Sequence, residues 1–186
     1  MSNRFFFGYG SLVNRATHAH DPAYAATLEG WCRVWRHLPG RAHATLSVMP
    51  EPGTQIAGLI ASVKADDWAA LDAREAAYTR HDVSGAVVHS GPEAAEIAMY
   101  VVPFGADAPA PAPIQLSYLD VVVQGYDAVF GAKGVADFFA TTRGWEAPVL
   151  DDRAAPLYPR HQVLAPQQLA LVDAMIAQHG LRLIPG

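Results

Sequence analysis

The pattern of apolar residues along the first 102 positions predicts several short strands, most of them joined by turns. The strands are bounded by Gly, Pro and polar residues and are rich in aromatic and β-branched side chains, which is typical of sheet structure. The predicted strands cover residues 5–7, 27–38, 42–49, 55–63, 79–90 and 95–102. A polar loop is expected at 14–24, an irregularity at Gly30 and a turn at 50–53. Strands joined by short turns favour an antiparallel sheet.

Residues 65–78 change period and predict a helix. Trp68, Leu71, Glu75 and Tyr78 recur at spacings of three and four, which places them on one helical face. That spacing puts the carboxylate of Glu75 on the apolar stripe. A buried carboxylate is costly unless it is paired or used. Two interpretations therefore remain open, a structural ion pair and a functional acid or base.

An ion pair of Glu75 would use Arg74 or Arg80, the nearest basic residues in the sequence. A functional carboxylate would instead have its pKa raised by desolvation, toward the range useful for proton transfer. The spacing of the residues does not separate these two interpretations.

The last part of the chain predicts mainly helices. A loop at 104–113 contains three Ala-Pro units, and helices are expected at 114–129, 135–142 and 166–179. Residues 145–161 are expected to be irregular, and 181–184 to form an edge strand. Strands followed by helices indicate an α+β fold class. We expect one domain over 1–186, with 130–186 as a mostly helical extension packed on it.

Composition excludes several classes of protein. The formal charge is −5, and no basic run is present, so nucleic acid is not an expected partner. No apolar stretch approaches the ~20 residues of a membrane span, and the N-terminus lacks the features of a signal peptide. The single cysteine, Cys32, excludes an internal disulfide framework and suits the cytoplasm. His18, His20 and Asp21 lack an evident further ligand, so we predict no metal site.

The loop after the first strand carries the first candidate site, Gly8-Tyr9-Gly10-Ser11-Leu12. Glycine allows close approach of another molecule, and exposed backbone N–H groups can hold an anion or a carbonyl oxygen. Val13 replaces the third glycine of a dinucleotide fingerprint. The spacing also fails for a phosphate P-loop and for a Gly-x-Ser-x-Gly nucleophile elbow.

Three segments, taken in order, resemble the gamma-glutamylcyclotransferase superfamily with its ChaC-like and AIG2-like branches. They are Tyr9-Gly10-Ser11-Leu12, then Leu28-Glu29-Gly30-Trp31-Cys32-Arg33-Val34-Trp35, then Leu71-Asp72-Ala73-Arg74-Glu75-Ala76-Ala77-Tyr78-Thr79-Arg80-His81-Asp82-Val83. The resemblance implies a small, mostly antiparallel, barrel-like sheet with flanking helices and a pocket at its mouth. Ala76 departs from the family's glycine, and Val13-Asn14 departs from the aromatic residue of ChaC-like members. Glutathione is therefore not assigned as the substrate.

The resemblance also implies an activity, conversion of a γ-glutamyl amide to 5-oxoproline and a free amine. It implies Glu75 as general acid and base, and Tyr9, Gly10, Ser11, Leu12 and Tyr118 as substrate-binding residues, with no metal or redox cofactor. Tyr158 and Arg160 are candidates for the pocket rim, although an ion pair of Arg160 with Asp151 or Asp152 is favoured.

Three other interpretations stay open. One is a non-catalytic module of the same fold that binds a γ-glutamyl group or another small molecule. Another is a related enzyme that cleaves the γ-glutamyl–amine bond with the same residues. The third is a hydrolase with Ser11 as its nucleophile.

Overall fold

The structure, a computed structural model, describes residues 3–93, 95–105, 107–108 and 110–186. These residues form ten strands and three α-helices. In chain order they are β1 (Arg4–Gly8), β2 (Ala23–Arg36), β3 (Thr45–Ser62), α1 (Trp68–Arg74), β4 (Thr79–Asp82), β5 (Val87–His89), β6 (Glu96–Val101), β7 (Ile114–Gln115), α2 (Leu116–Ala140), β8 (Thr142–Arg143), β9 (Val149–Asp151), α3 (Pro166–Gln178) and β10 (Leu183–Pro185). None of these helices is long and apolar enough to cross a membrane.

Most of the strands belong to one seven-stranded sheet with the order β4-β6-β1-β3-β2-β5, and β8 pairs with β2 beside this path. The β1–β6 and β2–β8 pairs are parallel, and the other pairs in this sheet are antiparallel. A second sheet of three parallel strands has the order β10-β9-β7. The predicted α+β class with a mostly antiparallel sheet is confirmed. Among the described residues the path of paired strands does not close on itself.

The predicted turn at 50–53 is wrong, because these residues lie inside β3. β2 and β3 form one long hairpin, and the register between them shifts around Gly30. Gly30 and Gly53 have φ angles of 79° and 85°, a region that glycine enters without strain. The pairs Glu29↔Gln55 and Trp31↔Pro50 leave only Gly30 opposite residues 51–54, and this interruption of the ladder resembled a chain reversal in the sequence.

Three helix predictions also need correction. A 3₁₀ turn at Ala65–Asp67 precedes α1, which ends at Arg74 and not at residue 78. The helices expected at 114–129 and 135–142 are one element, α2, with a kink at Gly131 where φ is 65°. The final helix lies where it was expected.

Several predicted strands and loops have different bounds. Residues 79–90 contain two strands, β4 and β5, and the segment 145–161 contains β9. Part of the loop expected at 14–24 belongs to β2. Ala106 and Pro109 of the predicted loop at 104–113 lie outside the described residues.

The core has a layer on each side of β1, and this arrangement positions the loop that follows it. Phe5 and Phe7 pack into the larger apolar cluster, with residues of α2, whereas Phe6 packs with Leu71 of α1 in a smaller one. Burial of each aromatic ring contributes roughly 1.5–3 kcal/mol to the free energy of folding. The C-terminal end of β1 is therefore held between the end of α1 and the start of α2.

Candidate active site

The residues after β1 line a cavity of ≈160 Å³. All six residues predicted as catalytic or substrate-binding lie in its wall, as do both residues predicted for the pocket rim. The wall consists of Phe7, Gly8, Tyr9, Gly10, Ser11, Leu12, Leu46, Arg74, Glu75, Tyr78, Tyr100, Tyr118, Tyr158 and Arg160. The structure therefore brings together segments that are more than 100 residues apart in the chain.

The glycines of the loop allow two close approaches. A Cβ atom on Gly8 would lie 2.6 Å from Cβ of Leu12, and one on Gly10 would lie 2.6 Å from the Tyr118 hydroxyl. Ser11 to Val13 form a 3₁₀ turn directly after these glycines. Tyr118, in the first turn of α2, can therefore contact the loop only because position 10 has no side chain.

The loop is also fixed from beneath by a buried arginine. Nε of Arg33 donates to the Tyr9 carbonyl at 3.0 Å, and the Tyr126 hydroxyl donates to the same oxygen at 2.9 Å. The Arg33 guanidinium also donates to the carbonyl of Ala57 and, at 2.7 Å, to the Thr141 hydroxyl. Its carbonyl partners belong to the loop and to β3, so it ties the loop to the sheet.

Glu75 is the residue that caps the C-terminal end of α1, and its backbone N–H donates to the Leu71 carbonyl at 3.0 Å. Its side chain is 15% exposed, and its Oε1 lies 3.0 Å from Nε of Arg74. Burial raises the pKa of the Glu75 carboxyl, although Arg74 and Arg160 act in the opposite direction. The ion-pair interpretation is thus correct for Arg74, and the same carboxylate lines the cavity.

Arg80, the other expected partner of Glu75, lies elsewhere. It forms an ion pair with Asp72 at 3.4 Å and stacks on the Trp68 ring at 4.9 Å from its centroid. Among the described residues, the ion pair of Glu75 is therefore with Arg74 alone.

Tyrosines form much of the cavity wall, and two of them, Tyr78 and Tyr100, were not expected there. The hydroxyl of Tyr9 donates to the Tyr100 carbonyl at 2.6 Å, and that of Tyr78 donates to the Leu46 carbonyl at 3.0 Å. Burial raises the pKa of Tyr9, Tyr78 and Tyr118 well above the ordinary value for a phenol. These hydroxyls stay protonated near neutral pH and can donate hydrogen bonds. The sequence held one signal that could have placed Tyr78 in the cavity wall, its position three residues after Glu75.

The expected ion pair of Arg160 with Asp151 or Asp152 is wrong. Asp152 is buried and accepts hydrogen bonds from the Ser117 N–H at 2.7 Å and hydroxyl at 2.5 Å, and from the Leu157 N–H at 2.9 Å. These bonds join the start of α2 to the segment before Tyr158. The Tyr158 ring then packs edge-on against Tyr118, with 5.0 Å between ring centroids.

The structure offers no support for a serine nucleophile or a metal centre in the part of the chain that it describes. The side-chain contact of the Ser11 hydroxyl is with Arg74 at 3.5 Å, and no described histidine is bonded to it. Burial lowers the pKa of His18 to about 4, and this ring packs on Phe6. No group of three or more His, Cys, Asp or Glu side chains among the described residues could hold a metal ion.

Similar structures share this fold at low sequence identity. YkqA from Bacillus subtilis has a TM-score of 0.59 at 16% identity, over 75% of this chain and 55% of that chain. A structure described as gamma-glutamyl cyclotransferase has a TM-score of 0.59 at 13% identity, over 91% of this chain and 98% of that chain. An uncharacterized protein from Homo sapiens, loc79017, has a TM-score of 0.57 at 14% identity, over 91% of this chain and 97% of that chain. These identities establish similarity of fold alone.

No curated protein sequence matches this chain significantly. The family profile described as "Gamma-glutamyl cyclotransferase, AIG2-like" matches residues 6–117, a range that contains the loop after β1 and Glu75. Because this range covers more than half of the 186 residues, the chain belongs to the AIG2-like gamma-glutamyl cyclotransferase family.

Proposed function

We propose that this protein is a γ-glutamyl cyclotransferase that converts a γ-glutamyl amide to 5-oxoproline and a free amine. The observation that carries the proposal is the position of Glu75, a carboxylate of raised pKa in the wall of a small cavity that the Tyr9–Leu12 loop also lines. Membership of the family supports the same reaction. The substrate is a small molecule with a γ-glutamyl head.

The reaction needs proton transfer more than it needs an external nucleophile. The substrate's own α-amino nitrogen attacks its γ-carbonyl carbon, a C–N bond of the five-membered ring forms, and the C–N bond to the leaving amine breaks. Both reacting groups belong to one molecule, so the enzyme's task is to hold them in contact. An α-amino group has a reference pKa of about 8 and arrives largely protonated near neutral pH.

Glu75 suits both proton transfers of this reaction. Its carboxylate takes one proton from the α-ammonium group before the attack, and the protonated carboxyl then donates this proton to the nitrogen of the leaving amine. The ring nitrogen loses a second proton after the attack, and the released amine takes up an equivalent proton to leave as an ammonium ion, so no net proton is consumed. Burial brings the pKa of Glu75 toward the working range. Arg74, at 3.0 Å, fixes the orientation of the carboxylate.

The loop and the tyrosines would hold the glutamyl head. Backbone N–H groups at Gly10 to Leu12 suit either the α-carboxylate or the γ-carbonyl oxygen that becomes an oxyanion. The cavity of ≈160 Å³ is smaller than the ~300–1,000 Å³ of typical small-molecule pockets. It is suited to the glutamyl head, and the leaving amine would extend beyond it.

The test is an assay of 5-oxoproline by mass spectrometry with glutathione, γ-glutamyl dipeptides and γ-glutamylamines. We expect Glu75→Gln to lower kcat at least ~100-fold, the usual scale for loss of a general acid or base, while the protein stays folded. Glu146→Gln is the matched control, because Glu146 is exposed and lies outside the cavity. Full activity of Glu75→Gln would refute its role.

A second candidate is a non-catalytic module that binds γ-glutamyl compounds, and the Arg74–Glu75 ion pair favours it, since a paired carboxylate needs no catalytic use. Binding by calorimetry without 5-oxoproline from any compound of the panel would favour this candidate over the enzyme.

A further inference from the structure

A second cavity, of ≈420 Å³, adjoins the first one, and Arg74 and Arg160 line both. Its remaining wall includes Thr17, His18 and Lys64. The first cavity is suited to the glutamyl head, so the space beyond the two arginines is where a leaving amine can extend. This step rests on the proposed function.

The two shared arginines differ in their contacts. Arg74 is held in place, because its guanidinium contacts Glu75 at 3.0 Å and donates to the Thr17 carbonyl at 2.9 Å. Arg160 is half-buried, and no carboxylate of a described residue lies within ion-pair distance of its guanidinium. Its charge nevertheless reaches the cavity, since it lowers the pKa of Glu75. Arg160 is therefore a cation available to a ligand.

The charges around the second cavity leave a positive balance. Lys64 is exposed there, whereas Asp21 forms an ion pair with Arg15 at 2.6 Å and is thereby neutralised. Asp67 remains as the acidic group facing His20. His18 is neutral near pH 7, because burial lowers its pKa to about 4. Arg160 and Lys64 thus face a single uncompensated carboxylate.

We propose that the second cavity is the subsite for the leaving amine, and that Arg160 there binds a carboxylate on it. A planar guanidinium matches a carboxylate with two parallel hydrogen bonds. The favoured substrates are γ-glutamyl compounds whose amine portion is an amino acid or short peptide with its carboxylate near the scissile bond. Neutral γ-glutamylamines lack the group that Arg160 recognises.

The experiment compares γ-glutamyl-L-alanine with γ-glutamyl-L-alaninamide, in which a neutral carboxamide replaces the carboxylate of the leaving amine. We expect the wild-type protein to prefer the acid by about 10- to 100-fold in kcat/KM, the scale of a hydrogen-bonded charge. Arg160→Gln should reduce this ratio at least tenfold, and Arg160→Lys should restore part of it. Arg182→Gln, at an exposed arginine that lines neither cavity, should leave the ratio unchanged.

Each outcome has a distinct meaning. Equal turnover of the acid and the amide by the wild-type protein overturns the subsite proposal and leaves the cyclotransferase proposal intact. The same holds for an acid preference that persists in Arg160→Gln. If neither compound nor any other of the panel yields 5-oxoproline, the proposed function fails, and the subsite proposal fails with it.

Discussion

At the scale of single residues, the most unusual group is Arg33, a fully buried arginine. No carboxylate of a described residue lies within ion-pair distance of it, and its partners are carbonyl and hydroxyl oxygens together with the faces of Tyr126 and Phe138. Burial of a charge without a counterion costs several kcal/mol. The guanidinium offsets this cost through its hydrogen bonds. One of these bonds fixes the Tyr9 carbonyl, and thereby the geometry of the loop.

This arrangement predicts that Arg33 positions the loop in addition to stabilising the fold. Arg33→Met should lower the free energy of unfolding by about 3 kcal/mol, because it removes the guanidinium hydrogen bonds to several buried oxygens. It should also lower kcat/KM for 5-oxoproline formation at least ~10-fold, the effect expected when a binding loop is displaced. Denaturant unfolding and steady-state kinetics on the same samples measure the two effects.

The control for Arg33 is Arg36 on the same strand. Arg36 is also buried, but it bonds to Asp107 at 2.7 Å and to Gly105 at 3.2 Å, and not to the loop after β1. Arg36→Met should therefore destabilise the protein without a comparable loss of kcat/KM. If both variants lose activity only in proportion to their stability, Arg33 has no positioning role.

At the scale of elements, the site depends on the contact between the loop after β1 and the first turn of α2. A Cβ at position 10 would lie 2.6 Å from the Tyr118 hydroxyl but 3.8 Å from Cζ of the same ring. The conflict is thus with the hydroxyl group and not with the ring. Asn14 at the end of the loop donates to the Val121 carbonyl at 2.9 Å, which holds the helix beside the loop.

Gly10→Ala should therefore displace the Tyr118 hydroxyl and lower kcat/KM by ~10-fold or more, since small displacements of site groups are costly. Tyr118→Phe removes the conflicting oxygen, so Gly10→Ala should cost much less activity when it is added to Tyr118→Phe. Gly85→Ala is the matched control, because a Cβ there would meet nothing within 4 Å. Equal losses from Gly10→Ala in both backgrounds would contradict this explanation.

The elements also show what the sequence could and could not predict. Periodicity located the buried first strand, the helix that presents Glu75 and the final helix, because each signal is local. The end of α1 at Arg74 and the continuity of β3 through 50–53 were missed. The continuity of β3 depends on a distant segment, because β2 pairs with β3 on both sides of residues 51–54.

At the scale of the whole molecule, residues beyond the family match help to form both cavities. The family match ends at residue 117, yet Tyr118, Tyr158 and Arg160 line the first cavity, and Arg160 lines the second. Asp152 makes this possible, because its hydrogen bonds join Ser117 of α2 to Leu157. The sequence could suggest Arg160 only as a rim residue, since no local pattern shows that Asp152 is already fully bonded and leaves Arg160 free.

The stability of the whole protein should depend on pH through His18. Burial lowers the pKa of His18 from 6.5 to about 4 in the folded protein. Above pH 6.5 both the folded and unfolded states hold this ring neutral, so its burial carries no charge penalty. As the pH falls from 6.5 toward 4, the unfolded state binds a proton that the folded state does not bind, and the free energy of unfolding decreases.

Urea unfolding at several pH values between 7.5 and 4.5, a range of about three units that spans the reference pKa of histidine, tests this dependence. Glu75 acts with the opposite sign, because a raised carboxyl pKa makes stability fall as the pH rises. The informative quantity is therefore the difference between the wild-type protein and His18→Gln. We expect this variant to lose less stability on acidification, whereas His179→Gln, at an exposed histidine, should follow the wild-type curve. Parallel curves for the wild-type protein and His18→Gln would show that protonation of His18 is not coupled to folding.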